Sequence, residues 1–406
     1  QNAPSSIASS SSAVFQLRLD AASAGLFSGN LVITSNDSDE ANFEIPVVGN
    51  VMAVLPPPGQ LDAGFGSGGQ VTQGITTGQD HYYSVAQQAD GKIIAAGRTY
   101  TGGRVTYDVL VTRWNTDGTP DITFGSGGAV IYDLNGNSDT ANSVLVQPDG
   151  KIILAGTASN GTNDDMFAVR LQTNGALDNS FSGDGKVIVA PTDSFDSCNT
   201  ASIQADGKII IAGHGLFQSG SLFNYDMVAV RFTSSGELDT TFDSDGILNV
   251  SISSTTDFCY SSTVQTDGKI ILAGLSSNGS NDDFSLVRLN VNGSLDATFD
   301  TDGKVTTTIG TSADTIRQIQ LQGDGKIVAA GYANMPSVGD EFALARYNSN
   351  GSLDTTCDTD GKVTTTFGTS TDWAYSMDLQ ADGKILTTGI TWNGTNYDIA
   401  LARHNT

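Results

Sequence analysis

Short apolar runs that end in glycine set the rhythm of this chain. They read KIIAAG at 92–97, KIILAG at 151–156, KIIIAG at 208–213, KIILAG at 269–274, KIVAAG at 326–331 and KILTTG at 384–389. Each begins within a DGK triplet, and the six triplets start 59, 57, 61, 57 and 58 residues apart. A half-polar stretch of the YSVAQQ type precedes each triplet. After each apolar run come a loop of variable length, a second apolar stretch such as FALARYN, and a polar run such as KVTTT. Runs this short, bounded by turn residues and rich in β-branched side chains, predict strands. We name them a (YSVAQQ), b (KIIAAG), c (FALARYN) and d (KVTTT). The DG step predicts a two-residue type I′ hairpin between a and b. Strand b is apolar on both faces, as befits a strand between two packed sheets. Four strands repeated six times predict an all-β fold, a six-bladed β-propeller of four-stranded blades over 61–406. The repeat region opens on a lone strand d at Gln70–Thr76 and stops after a strand c. The first strand is therefore expected to close the sixth blade beside the last three, which would remove two free sheet edges.

Charged positions recur with the same period. An Asp lies ten residues before each DG step (Asp80, Asp139, Asp196, Asp257, Asp314, Asp372) and an Arg lies in each strand c (Arg113, Arg170, Arg231, Arg288, Arg346, Arg403). An LD or PD step supplies Asp62, Asp121, Asp178, Asp239, Asp296 and Asp354, and a further acid opens strand c at Asp108, Asp165, Asp226, Asp283, Glu341 and Asp398. Acids repeated in every unit suit structural roles, with Arg and Lys pairing to them, because chemistry needs one asymmetric constellation. The frame LDxxFGxxGkV…D…Q-x-DGK-I-x-x-x-G…F-x-L-x-R-x-N-x-x-G resembles the delta-60 repeat of bacterial secreted and surface proteins. The departures are Pro120-Asp121, Cys357 in place of the turn Phe, and no trailing turn in the last unit. The resemblance implies an extracellular bacterial protein and implies no chemistry.

Composition narrows the partners. Nineteen basic against 44 acidic residues give a net charge of −25, which repels nucleic acid and anionic membrane. No apolar segment is long enough to insert in a membrane. Cys198, Cys259 and Cys357 form no CxxC pair, so neither a disulfide framework nor a structural zinc site is expected. Cys198 and Cys259 occupy the same place in adjacent units and read as buried thiols. The chain opens on Gln, consistent with removal of an export signal.

Residues 1–54 differ from the repeats. Alternation in FQLRL, NLVITS and FEIPVV predicts strands, and GLFSGNLVITSNDSDE…F-x-I-P-V-x-G resembles the C-terminal part of immunoglobulin-like modules beside bacterial surface anchors. A whole module has about 100 residues. The remainder has been removed, or a strand from a neighbouring molecule completes the sheet and makes a homopolymer. Residues 55–60, with Pro56, Pro57 and Pro58, are the linker.

Three sets of residues are candidate sites. The six upstream Asp, if strand a lines the axis, would ring one channel mouth and suit a cation such as calcium. Local capping of turn amides explains the same repetition and is favoured. The corners Asp243/Asp245, Asp300/Asp302 and Asp358/Asp360 resemble calcium loops, but FGSGG replaces them at 65–69 and 124–128, so a tight turn is the shared requirement. The third set lies on the face of the d–a and b–c loops, which vary between units and gather Tyr82, Tyr83, Tyr100, Tyr107, Phe217, Phe223, Tyr225, Trp373 and Trp392. Variable loops on a rigid scaffold are where binding sits. His81, His214 and His404 are scattered, and no GxSxG, HExxH or phosphate loop occurs, so no catalytic residue is expected. The NGS and NGT triplets read as Asn-Gly turns. The expected function is an extracellular adhesion or recognition module for a glycan or a surface protein, with no cofactor required. The alternatives are a subunit of an extracellular fibre or layer and, third, a polysaccharide lyase or hydrolase.

Overall fold

The computed structural model describes residues 25–34, 42–51, 61–101, 106–219, 222–368 and 371–405. Two compact units divide the chain between Gln70 and Val71, later than the boundary read from the repeat. In the first unit, β1 (Gly25–Thr34) and β2 (Asn42–Val51) form an antiparallel pair. They contain residues 30–34 of the predicted NLVITS run and all of FEIPVV. The FQLRL strand and residues 55–60 of the linker lie outside the described residues.

The second unit is a six-bladed propeller of antiparallel sheets, with no helix among the described residues. The first blade is β3 (Asp80–Gln87), β4 (Ile93–Tyr100), β5 (Tyr107–Trp114) and β6 (Ala129–Tyr132). The second is β7 (Asp139–Val146), β8 (Ile152–Ser159), β9 (Asp164–Leu171) and β10 (Lys186–Val189). The third is β11 (Asp196–Ile203), β12 (Ile209–Ser219), β13 (Leu222–Phe232) and β14 (Ile247–Val250). The fourth is β15 (Asp257–Val264), β16 (Ile270–Ser277), β17 (Asp282–Leu289) and β18 (Lys304–Thr307). The fifth is β19 (Asp314–Leu321), β20 (Ile327–Met335), β21 (Gly339–Tyr347) and β22 (Lys362–Thr365). The sixth has three strands, β23 (Asp372–Leu379), β24 (Ile385–Trp392) and β25 (Tyr397–His404).

In the first five blades strands b and c are buried on both faces, because each of these blades packs on the next. Apolar clusters fill the five successive junctions. Phe124, Phe167 and Ile94 lie between the first two blades, and Phe181, Phe232 and Ile211 between the second and third. Phe242 and Leu272 follow, then Phe299 and Tyr347, then Leu344 and Met377. A wholly buried side chain of this size contributes about 2 kcal/mol. The a strands pack on one another from β3 through β23 and so stand innermost. Side chains stitch them together: Asn142 Nδ2 donates to the Cys198 carbonyl at 2.8 Å and Asn199 Nδ2 to the Cys259 carbonyl at 2.7 Å.

Two expectations are corrected. The a–b connection is a three-residue turn rather than type I′. Gln88 N–H donates to the Lys92 carbonyl and Gly91 N–H to the Gln88 carbonyl, and only Gly91 has positive φ (84°). A type I′ turn needs positive φ at both central residues, and Asp90 lacks it. Residues 70–76 form no fourth strand of the sixth blade. Instead the Ile75 amide and the Thr76 hydroxyl bind the Asp80 carboxylate, which curls this segment over the start of β3.

Candidate functional site

The repeated charges sort into two faces. On the face of the a–b turns, Arg and Lys converge on the LD or PD aspartate. Arg288 Nε lies 2.7 Å and Lys269 Nζ 2.9 Å from Asp296 Oδ2, and Thr298 caps the other carboxylate oxygen. Arg288 also stands over the Phe299 ring at 4.6 Å and donates to the Ser349 carbonyl of the next blade. The same contacts recur at Arg113/Asp121, Arg170/Asp178 and Arg231/Asp239. Arg346 pairs with Asp354, while Arg403 is exposed. The first four latches fasten one blade to its successor, each Arg donating to a carbonyl of the next blade. Burial opposes ionisation of Asp239, but Thr241, Lys208 and Arg231 outweigh it and hold the carboxyl at about 2. A groove of about 740 Å³ between the first two a–b turns is lined by Gln88, Asp90, Arg113 and Gln147.

On the opposite face, the six upstream Asp do not form an axial ring. Asp139, Asp196, Asp257, Asp314 and Asp372 are wholly buried between blades, and each carboxylate accepts a backbone amide of its own d–a loop. Their neighbours are the acids that open strand c of the preceding blade. Burial pushes the Asp196 carboxyl up to about 7, and Asp165 adds to the shift. Burial also takes Asp139 to about 7, reinforced by Asp133 and Asp108, and Glu341 to about 7 beside Asp372.

The corner aspartates are exposed, and the first two residues of each corner take left-handed backbone: Asp243 (φ 44°) and Ser244, Asp300 and Thr301, Asp358 and Thr359. Gly66 and Gly125 hold the same conformation in the first two corners. Asp245, Asp302 and Asp360 each cap the amide two residues on. All three cysteines are free and buried, and burial pushes Cys198 and Cys259 up to about 12.

The aromatic candidates separate. Phe217 packs against the core between the second and third blades. Tyr82 faces away from the other rings, accepting the Thr112 hydroxyl. Phe223 is exposed, with no ring partner among the described residues. Tyr83, Tyr100 and Tyr107 gather with His81 around Arg98, whose guanidinium lies 4.2 Å from the Tyr107 centroid. From the third blade to the sixth the rings form a series. His214 meets Tyr225 and Phe258, and Phe258 meets Tyr260. Arg317 stands 4.5 Å from the Tyr260 centroid and 5.6 Å from that of Tyr375. Tyr375 meets Trp373, which stacks on Tyr397, and Trp392 closes the series edge-on.

One backbone device places this belt. Every strand a has a β-bulge three residues after its Asp, at Tyr83, Asn142, Asn199, Tyr260, Arg317 and Tyr375. A bulge adds an unpaired residue and re-aims its side chain. The glycine ending each strand b makes room: an added Cβ on Gly274 would overlap the Phe258 carbonyl oxygen, and Gly97, Gly156, Gly213, Gly331 and Gly389 meet the equivalent oxygen. The position is identical in all blades, but its occupants are three tyrosines, two asparagines and an arginine. Sequence reasoning missed Arg98, Phe258, Tyr260, Arg317, Tyr375 and Tyr397. The signal available was chemical variation at a fixed distance from an unvarying Asp.

A six-bladed propeller with an asymmetric aromatic belt on its variable face is the class these features define. The model of the family described as Domain of unknown function (DUF5122) beta-propeller matches residues 88–124, 147–181, 204–242, 265–299, 322–356 and 380–406, just over half of the chain, and the chain belongs to this family. No curated protein matches it. Among solved structures it is similar to a protein of unknown function from Dyadobacter fermentans DSM 18053, at 11% identity and TM-score 0.47, covering 79% of this chain and 93% of that one. It is also similar to Sqt1 from Chaetomium thermophilum, at 13% identity and TM-score 0.43, covering 80% and 70%. A third is the α-L-arabinofuranosidase Arb93A from Fusarium graminearum, at 10% identity and TM-score 0.39, covering 64% and 72%.

Proposed function

We propose that the protein is an extracellular, non-enzymatic recognition module that binds a glycan along its aromatic belt. The observation that carries this is the run of rings from Tyr260 through Trp373 to Tyr397, interrupted by one guanidinium. No carboxylate pairs with Arg317 among the described residues, although the chain carries 44 acids. Ring faces stack on the C–H faces of sugars, and the Arg317 fork suits a carboxylate or a vicinal hydroxyl pair. Screening on a glycan array followed by calorimetry tests it. Binding that falls at least tenfold in both Trp373→Ala and Tyr375→Ala, with the melting temperature kept, supports the proposal. Affinity unchanged in both variants overturns it.

A second reading rests on a cleft of about 200 Å³ that brings together Asp164, Asp196, His214 and Tyr225. Burial raises the Asp196 carboxyl to about 7 and lowers His214 to about 4, which suits acid chemistry on a sugar. The equal shift at Asp139, in another blade, means that the property is not particular to this cleft, which favours recognition. Release of new reducing ends from a bound glycan, lost in Asp196→Asn, would reverse that preference.

A further inference from the structure

Each blade junction buries two acids together, the one that opens strand c and the upstream Asp of the next blade. At four junctions the pairs are Asp165/Asp196, Asp226/Asp257, Asp283/Asp314 and Glu341/Asp372. The residue that follows strand d completes each environment, and it is Ala190, Ser251, Thr308 and Thr366 in turn. Where it bears a hydroxyl beside an acid, it opposes the upward shift of that carboxyl, as Ser251 does at Asp226 and Thr366 at Glu341. The first junction breaks the pattern. Its pair is Asp108/Asp139, and the third position is Asp133, an acceptor where the other junctions place a donor or a methyl group.

We propose that Asp108, Asp133 and Asp139 hold a hard divalent cation of the calcium class between the first and second blades. The three carboxylates present oxygens within 4.8 Å of one another, the only such group of three among the described residues. One oxygen of each is already committed: Asp108 Oδ2 accepts the Thr101 hydroxyl, Asp133 Oδ1 the Gly136 amide, and Asp139 Oδ2 the Leu134 amide. Asp139 is fully buried, yet its Oδ1 has no hydrogen-bond partner. The same oxygen lacks a partner in Asp196, Asp257 and Asp372, but among the described residues only that of Asp139 lies in a group of three acids, an arrangement that is costly unless a cation lies among them. Lys186 is the base whose charge reaches Asp139, and it makes no ion pair with the three among the described residues. Asp133 is exposed and leaves a path for entry. The donors are all carboxylate oxygens, which suit calcium, magnesium or manganese and not zinc or copper.

Calorimetry on chelator-stripped protein, titrated separately with calcium and magnesium chloride, tests the site, together with thermal melts in each ion. Wild type is expected to bind one ion here and to gain about 2–5 °C in melting temperature under saturation. Asp133→Ser installs the residue of the third junction, so it folds, and it should weaken binding at least tenfold. Asp108→Asn should do the same. No heat and no melting shift with either ion would overturn the proposal. So would binding identical to wild type in Asp133→Ser, which would place the ion elsewhere.

Discussion

At the scale of single residues, the two faces of the propeller titrate in opposite senses. Asp239 is held at about 2 by Thr241, Lys208 and Arg231 against the cost of burial, and Asp178 and Asp296 are likewise held well below the ordinary range. A depressed carboxyl stabilises the fold above its unfolded pKa of about 4, and that stability is lost as pH falls toward the folded value. Asp196 and Glu341 behave inversely, because burial lifts both to about 7. Their protonated forms are preferred in the fold, so their contribution is complete below about pH 4 and is lost as pH rises to about 7. In a chelating buffer the melting temperature should therefore peak near pH 4–5 and decline on both sides. A melting temperature that rises steadily from pH 4 to 8 would contradict this. The latches themselves are buried, so removing one partner leaves an uncompensated charge, a loss of about 3–5 kcal/mol in comparable pairs.

At the scale of the element, a bulge and a glycine act as one unit. The bulge in strand a sets the carbonyl two residues before it against strand b, and only a residue without Cβ fits opposite. Gly274→Ala should cost about 1–3 kcal/mol, the range for forced overpacking, read as a lowered urea midpoint. It should also shift Tyr260 and weaken ligand binding, whereas Gly323→Ala, with open space around it, should leave both unchanged. A Gly274→Ala protein with the wild-type midpoint would mean that the bulge relaxes freely. The strands themselves were legible in the sequence because each unit carries its own apolar run, turn glycine and Arg–Asp latch. The corner was legible for the same reason: Gly125 and Asp300 share only tolerance of positive φ. The bulge was not legible, since strand a is half-polar and its alternation hides one additional residue. The belt that depends on it was therefore sought in the loops, where Phe217 and Tyr82 proved to serve packing and a Thr112 contact.

At the scale of the whole propeller, six blades make five filled junctions. No packing comparable to that of the other a strands joins β23 to β3 among the described residues. Ile399 is 87% and Leu401 63% exposed on the sixth blade, while Val85 is 69% exposed on the first. The sequence could not reveal this. Ile399 and Leu401 stand in the same frame as Phe284 and Leu286 of the fourth blade, which are wholly buried. Burial at a blade face depends on what lies opposite, and that is a long-range property of the ring, not a property of the repeat. In a repeat architecture, stability is close to a sum of units and nearest-neighbour interfaces. Blades two to five have two such interfaces and the terminal pair have one, so local opening should be easiest at the ends. Hydrogen exchange read by mass spectrometry should find the amides of β12, β13, β16 and β17 slowest. Those of β24 and β25 should exchange at least tenfold faster, and β3 faster than β11. Equal protection across all six sheets would show instead that the first and sixth blades meet in solution as firmly as the others do.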